Sequence, residues 1–137
     1  MISFDGFELT DGTPIYLQIL LHIKRGVVSG AVWDGDELPS RRALSALLGV
    51  NPNTIQKAYR ILEDEGLIES RAGAKSCMRV DHGTKERVRA SLVESEVHRA
   101  ISALKEMGLS AEQATELLKK HWNDETGGET DSEKIVF

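Results

Sequence analysis

Arg41, Arg42, Lys57 and Arg60 lie between Glu37 and Glu63, a stretch that holds no acidic residue. Cations without neutralising neighbours can displace counterions from a phosphodiester backbone. The same stretch carries Asn51, Asn53, Thr54 and Gln56. Asn and Gln can pair bidentately with an adenine edge, and Thr can reach a base edge or a thymine methyl. Farther on, Arg71 and Lys75 add positive charge, opposed by Glu69. Taken alone, a charge run fits a solvated helix face as well as it fits a nucleic-acid contact. The amide and hydroxyl residues weigh against the solvated face, because a purely structural surface helix more often carries Glu and Lys pairs.

The whole chain has 17 Lys and Arg against 22 Asp and Glu, a formal net charge of -5 over 137 residues. That average opposes nucleic-acid binding, but binding follows local charge. Most acids sit near the N-terminus and toward the C-terminal end. Other chemistries find little support. His22, His82, His98 and His121 are scattered without metal-ligand spacing, so no metal is expected. A single cysteine, Cys77, cannot form an internal disulfide framework. No glycine-rich phosphate loop or nucleophile elbow occurs, so neither an enzyme nor a cofactor is expected. No apolar run approaches the roughly 20 residues of a membrane span, and the start MISFDGFEL does not read as a signal peptide. The expected setting is the cytoplasm.

These residues need elements to position them. Thr13 and Pro14 read as N-cap and first residue of a helix, with Ile15, Ile19, Leu20, Ile23 and Val27 inward and Gly30 as its stop. The loop AVWDGDELP follows, with Trp33 and Leu38 as anchors. Ser40 caps a short helix carrying Leu44, Leu47 and Leu48 on one side, and Gly49 ends it. Asn51-Pro52 restarts a helix whose inward face is Ile55, Ala58, Tyr59 and Leu62, closed by Gly66. Two unequal helices around a tight turn predict a helix-turn-helix. Residues 67–70 and 76–80 read as two short strands around Arg71-Ala72-Gly73-Ala74-Lys75, a hairpin wing. From Thr84 a long helical stripe runs through Val88, Leu92, Val93, Val97, Ala100, Ile101 and Leu104. Ser110 and Gln113 form a capping box for a last helix with Leu117, Leu118 and Trp122. The fold class expected is mainly α with a small β-hairpin wing.

Several of these motifs, in order and at their spacing, resemble the GntR family of bacterial repressors over roughly residues 9–80. They are Pro14-Ile15-Tyr16-Leu17-Gln18-Ile19, then Gly35 to Arg42, Leu48 to Thr54, Ala58-Tyr59-Arg60 and Leu62 to Ile68. The short C-terminal segment is similar to the YtrA-like subfamily, since no room remains after residue 83 for a large sensing or aminotransferase domain. The resemblance implies a repressor that binds double-stranded DNA and, in that subfamily, control of a transporter operon. It implies that Ser40, Arg41 and Arg42 open the helix that grips phosphate or a guanine edge, leaving open which arginine reads a base. Asn51, Asn53, Thr54, Gln56, Lys57 and Arg60 would belong to the recognition helix. Arg71, Gly73 and Lys75 would form the wing, with Gly73 at its tip in the minor groove. This tip is less basic and less glycine-rich than is usual in the family.

The C-terminal stripe fits either packing back on the first helix or dimerisation. Its length exceeds what one small domain can cover, and family members act as two-fold dimers on inverted repeats. A homodimer is therefore expected, held by Val88, Leu92, Val97, Ile101, Leu104, Leu117, Leu118 and Trp122. The domains expected are an N-terminal arm (1–12), a winged helix-turn-helix (13–82), a two-helix dimerisation segment (83–122) and a disordered tail (123–137). An effector site, if one exists, falls between the C-terminal helices and the dimer seam. The competing function is a winged-helix protein-interaction module whose polar third helix faces solvent.

Overall fold

The computed structural model describes residues 1–70 and 75–124. The elements are α1 (Ile15–Ser29), α2 (Arg41–Leu48), α3 (Pro52–Asp64), β1 (Ile68–Glu69), β2 (Cys77–Met78), α4 (His82–Glu106) and α5 (Ala111–His121). They divide into two compact units, Met1–Leu92 and Val93–Phe137. The expected tail lies outside the described residues beyond position 124.

In the first unit α1 packs on α3, and α2 packs on α3 as well. Ile19, Ile23 and Val27 recur every four residues on α1 and are buried, as are Ile55, Ala58, Tyr59 and Leu62 on α3. Leu44, Leu38, Leu67, Ile68 and Met78 complete the same core. Side chains spaced by three and four residues share one helix face, so these stripes meet as the periodicity predicts.

The turn between α2 and α3 has a local cause. Gly49 adopts φ +67°, a left-handed conformation that costs glycine little. Its N–H donates to the Ser45 carbonyl, and the Ser45 hydroxyl donates to the Val50 carbonyl at 2.5 Å. Asn51 Oδ1 then accepts from the Asn53 N–H, with Pro52 at the first helical position. The chain reverses and restarts within three residues.

The wing is smaller than expected in one direction and larger in another. β1 and β2 pair antiparallel over two residues each, with Ile68 opposite Met78 and Glu69 opposite Cys77. On the other edge of β2 lies the segment read as a loop. Gly35 N–H donates to the Met78 carbonyl, Met78 N–H to Asp36, and Leu38 N–H to Ser76. The arm joins outside that, with Ile2 N–H on the Glu37 carbonyl. Ile2 and Phe4 are buried. Phe4 and Phe7 enclose the His22 ring, whose Nε2 donates to the Ser3 carbonyl at 2.8 Å.

Four expectations are corrected here. Pro14, not Thr13, is the N-cap of α1; its carbonyl takes the Leu17 and Gln18 N–H groups, while the Gln18 amide holds the Thr10 and Thr13 carbonyls. Trp33 is 70% exposed, and Val32 is the anchor instead. Leu47 is 67% exposed because only Leu44 and Leu48 of α2 turn inward. Val88 is buried and Leu92 packs on the first core, so two residues assigned to a dimer seam serve the first unit.

The second unit holds the rest of α4 and α5. A turn at Gly108 (φ +82°) separates them, and Ser110 and Gln113 form the capping box in both directions. No residue of α5 is buried. Val93, Val97, Ile101, Met107, Leu117, Leu118 and Trp122 are all exposed.

Candidate nucleic-acid interface

α3 has two opposed faces. Ile55, Ala58, Tyr59 and Leu62 are buried, whereas Asn53, Gln56, Lys57 and Arg60 are exposed. Both sets follow the i, i+3, i+4, i+7 spacing of a single helical stripe. Offset by two residues, or about 200° at 3.6 residues per turn, they must face opposite ways. Because the first set is anchored in the core, the second is held rigidly outward. Thr54 is half-buried between them, its N–H on the Asn51 carbonyl.

The cations of the acid-free stretch divide into two kinds. Arg42 and Arg60 are exposed, and neither enters an ion pair with a described residue. Arg41 and Lys57 are each set against a tyrosine, and the chain has two tyrosines. The Arg41 guanidinium carbon is 5.4 Å from the Tyr59 ring centroid, and Lys57 Nζ is 4.0 Å from that of Tyr16. Cations over a ring face are attracted by its quadrupole. Arg41 Nε is buried and has no hydrogen-bond partner among the described residues. The Tyr59 hydroxyl donates to the Pro39 carbonyl at 2.7 Å. Burial pushes this phenol well above its ordinary range against the opposing pull of Arg41, so it stays a donor. Arg42 is thus the arginine that reaches solvent freely at the start of α2.

Two candidate side chains are partly committed to backbone. Ser40 Oγ accepts from the Ala43 N–H at 3.0 Å, and Asn51 Oδ1 accepts from Asn53 at 2.8 Å. Each secures a helix N-terminus, where free N–H groups favour an anion. Lys75 sits 3.7 Å from the Glu37 carboxylate, and Glu69 pairs with Arg79. Both pairs are largely exposed, a setting in which an ion pair is worth about 0–1 kcal/mol and exchanges readily. Arg71 and Gly73 lie outside the described residues. The structure brings Ser40, Arg41, Arg42 and the α3 stripe onto one helix-turn-helix. Val93, Val97, Ile101, Met107, Leu117, Leu118 and Trp122, all exposed, belong to the other unit.

Sequence reasoning missed Tyr16 as a partner of Lys57, and Ser45 as the clamp on the turn. Tyr16 has no signal of its own, since its ring meets Lys57 only when α1 and α3 pack. Ser45 does leave a trace, being the one polar residue of α2 after its two arginines, four positions before Gly49.

The model of bacterial regulatory proteins of the gntR family matches residues 15–75. The HTH-type transcriptional repressor YtrA of Bacillus subtilis is 37% identical over 110 residues, covering 80% of both chains. A GntR family transcriptional regulator from Listeria monocytogenes superposes with TM-score 0.68 at 32% identity, over 82% of this chain and 98% of the other. YtrA from Sulfolobus acidocaldarius, a GntR-family transcription factor, gives TM-score 0.54 at 33% identity, over 73% of this chain and 99% of that one. With the helix-turn-helix and wing in place and a relative matched over four-fifths of its length, this chain belongs to the GntR family and is a DNA-binding transcription regulator.

Proposed function

We propose that the chain is a repressor acting in the cytoplasm as a dimer on an inverted-repeat operator. α3 enters the major groove, with Asn53, Thr54 and Gln56 at base edges. Lys57, Arg60, Arg42 and the N-terminus of α2 take phosphates, and Arg71, Gly73 and Lys75 serve the adjacent groove. One observation carries this reading. The outward stripe of α3 is built from amide and cationic side chains, with no acid on either helix until Glu63. Such a face suits a polyanion with readable base edges.

The exposed apolar residues of the second unit, Val97, Ile101, Leu117, Leu118 and Trp122 among them, support self-association. A two-fold dimer would set two copies of α3 about 34–36 Å apart, one turn of DNA. The repressor named YtrA in Bacillus subtilis supports the direction of control.

The test is selection of bound duplexes from a random-sequence pool, followed by mobility shift across a salt series. An inverted repeat and a steep loss of affinity with salt are expected. Gln56→Ala should relax base preference more than Arg42→Ala, which should weaken all sequences alike. Binding of the selected duplex without salt dependence would overturn the phosphate contacts.

A further inference from the structure

The two tyrosines of the chain each lie under one cation of the acid-free stretch, one of them on a helix outside the helix-turn-helix. Tyr16 is in the first turn of α1, half-buried, and packed against the core. Its hydroxyl has no hydrogen-bond partner among the described residues. Its ring instead faces Lys57 Nζ at 4.0 Å. Lys57 is itself exposed, next to Gln56 on the outward stripe of α3. A free lysine samples many rotamers, and fixing one on binding costs entropy. A ring that already holds the ammonium removes part of that cost before DNA arrives.

We propose that Tyr16 is a positioning residue for DNA binding, which holds Lys57 in the rotamer that meets a phosphate and so fixes the register of α3. This rests on the reading of α3 as the DNA-facing helix. The ring does the holding through its π face; the hydroxyl is not needed. Arg42 and Arg60, which have no ring beneath them, are the adaptable contacts.

The full-length protein is titrated against a duplex selected from a random pool, over a range of salt. Tyr16→Leu keeps an apolar side chain against the core and should weaken binding about 2–5-fold, the range of an exposed cation–π contact. The slope of log affinity on log salt should not change, because Lys57 still reaches its phosphate. Lys57→Met should weaken binding and lower that slope by about one. In the Lys57→Met background, Tyr16→Leu should have no further effect, and Tyr16→Phe should bind like wild type. A loss in Tyr16→Phe equal to that in Tyr16→Leu would assign the effect to a hydroxyl contact and overturn the proposal. An undiminished loss from Tyr16→Leu in the Lys57→Met background would do the same, by showing a general packing role. Failure of wild type to show salt-dependent binding would instead remove the DNA-facing reading itself.

Discussion

At Gly26, near the end of α1, a Cβ atom would stand 2.4 Å from Val32 Cγ2. Val32 cannot yield easily: it is buried, β-branched, and its N–H donates to the Gly26 carbonyl at 2.9 Å. Gly26→Ala would gain about 1 kcal/mol of helix propensity, yet overpacking of this kind costs roughly 1–3 kcal/mol. A net loss of about 1 kcal/mol is expected in urea denaturation, turning to a gain in a Val32→Ala background. Stabilisation in the wild-type background would refute the close approach. Asp81 gives a second test at this scale. Its carboxylate accepts the Thr84 N–H at 2.7 Å at the start of α4, and this bond, aided by the Thr84 hydroxyl and Arg87, holds its pKa below the ordinary carboxylate range. A depressed folded pKa means stabilisation present above the unfolded value, about 3.9, and lost as pH falls through the folded one. The stability gap between wild type and Asp81→Ala should therefore narrow below about pH 4. A gap unchanged down to pH 2.5 would contradict it.

Among the elements, the recognition helix was the most legible and the arm the least. Cap residues and stripes are local signals, so Ser40, Asn51-Pro52 and Ser110 with Gln113 located the starts of α2, α3 and α5. Strand pairing is not local. The Gly35–Leu38 segment meets β2 about forty residues away, as in the bridge between Glu37 and Cys77, and its glycine and acids read as loop. The arm packs because this edge and His22 offer Ile2 and Phe4 a place. Phe4→Ala is expected to cost about 3 kcal/mol, as for a buried aromatic, measured by urea denaturation. A cost below about 0.5 kcal/mol, the scatter of surface substitutions, would show that the arm is not part of the unit.

For the molecule as a whole, the proposed dimer makes the strongest demand. The second unit leaves Val97 and Ile101 of α4 half exposed, at 50% and 42%, and Trp122 at 79%. In the proposed dimer these side chains would be covered by the second copy. Val97→Asp with Ile101→Asp is expected to sediment as a monomer while the first unit keeps its cooperative melting. Linking two half-site contacts typically raises avidity by 10²–10⁴, so the monomer should bind the operator at least about 100-fold more weakly. Equal affinity in a sedimenting monomer would overturn the symmetric arrangement.

Sequence alone determined the helices, the turn between α2 and α3, and the outward stripe of α3, because caps and periodicity act within one or two turns of chain. The tertiary structure decided which apolar residues the core takes. Leu47 and Val88 sit in similar-looking stripes, yet one faces solvent and the other is buried. It also separated the two neighbouring arginines, since the Tyr59 ring under Arg41 leaves Arg42 free. Burial and cation–π contact depend on what another segment brings within a few ångströms, and no spacing along the chain records that.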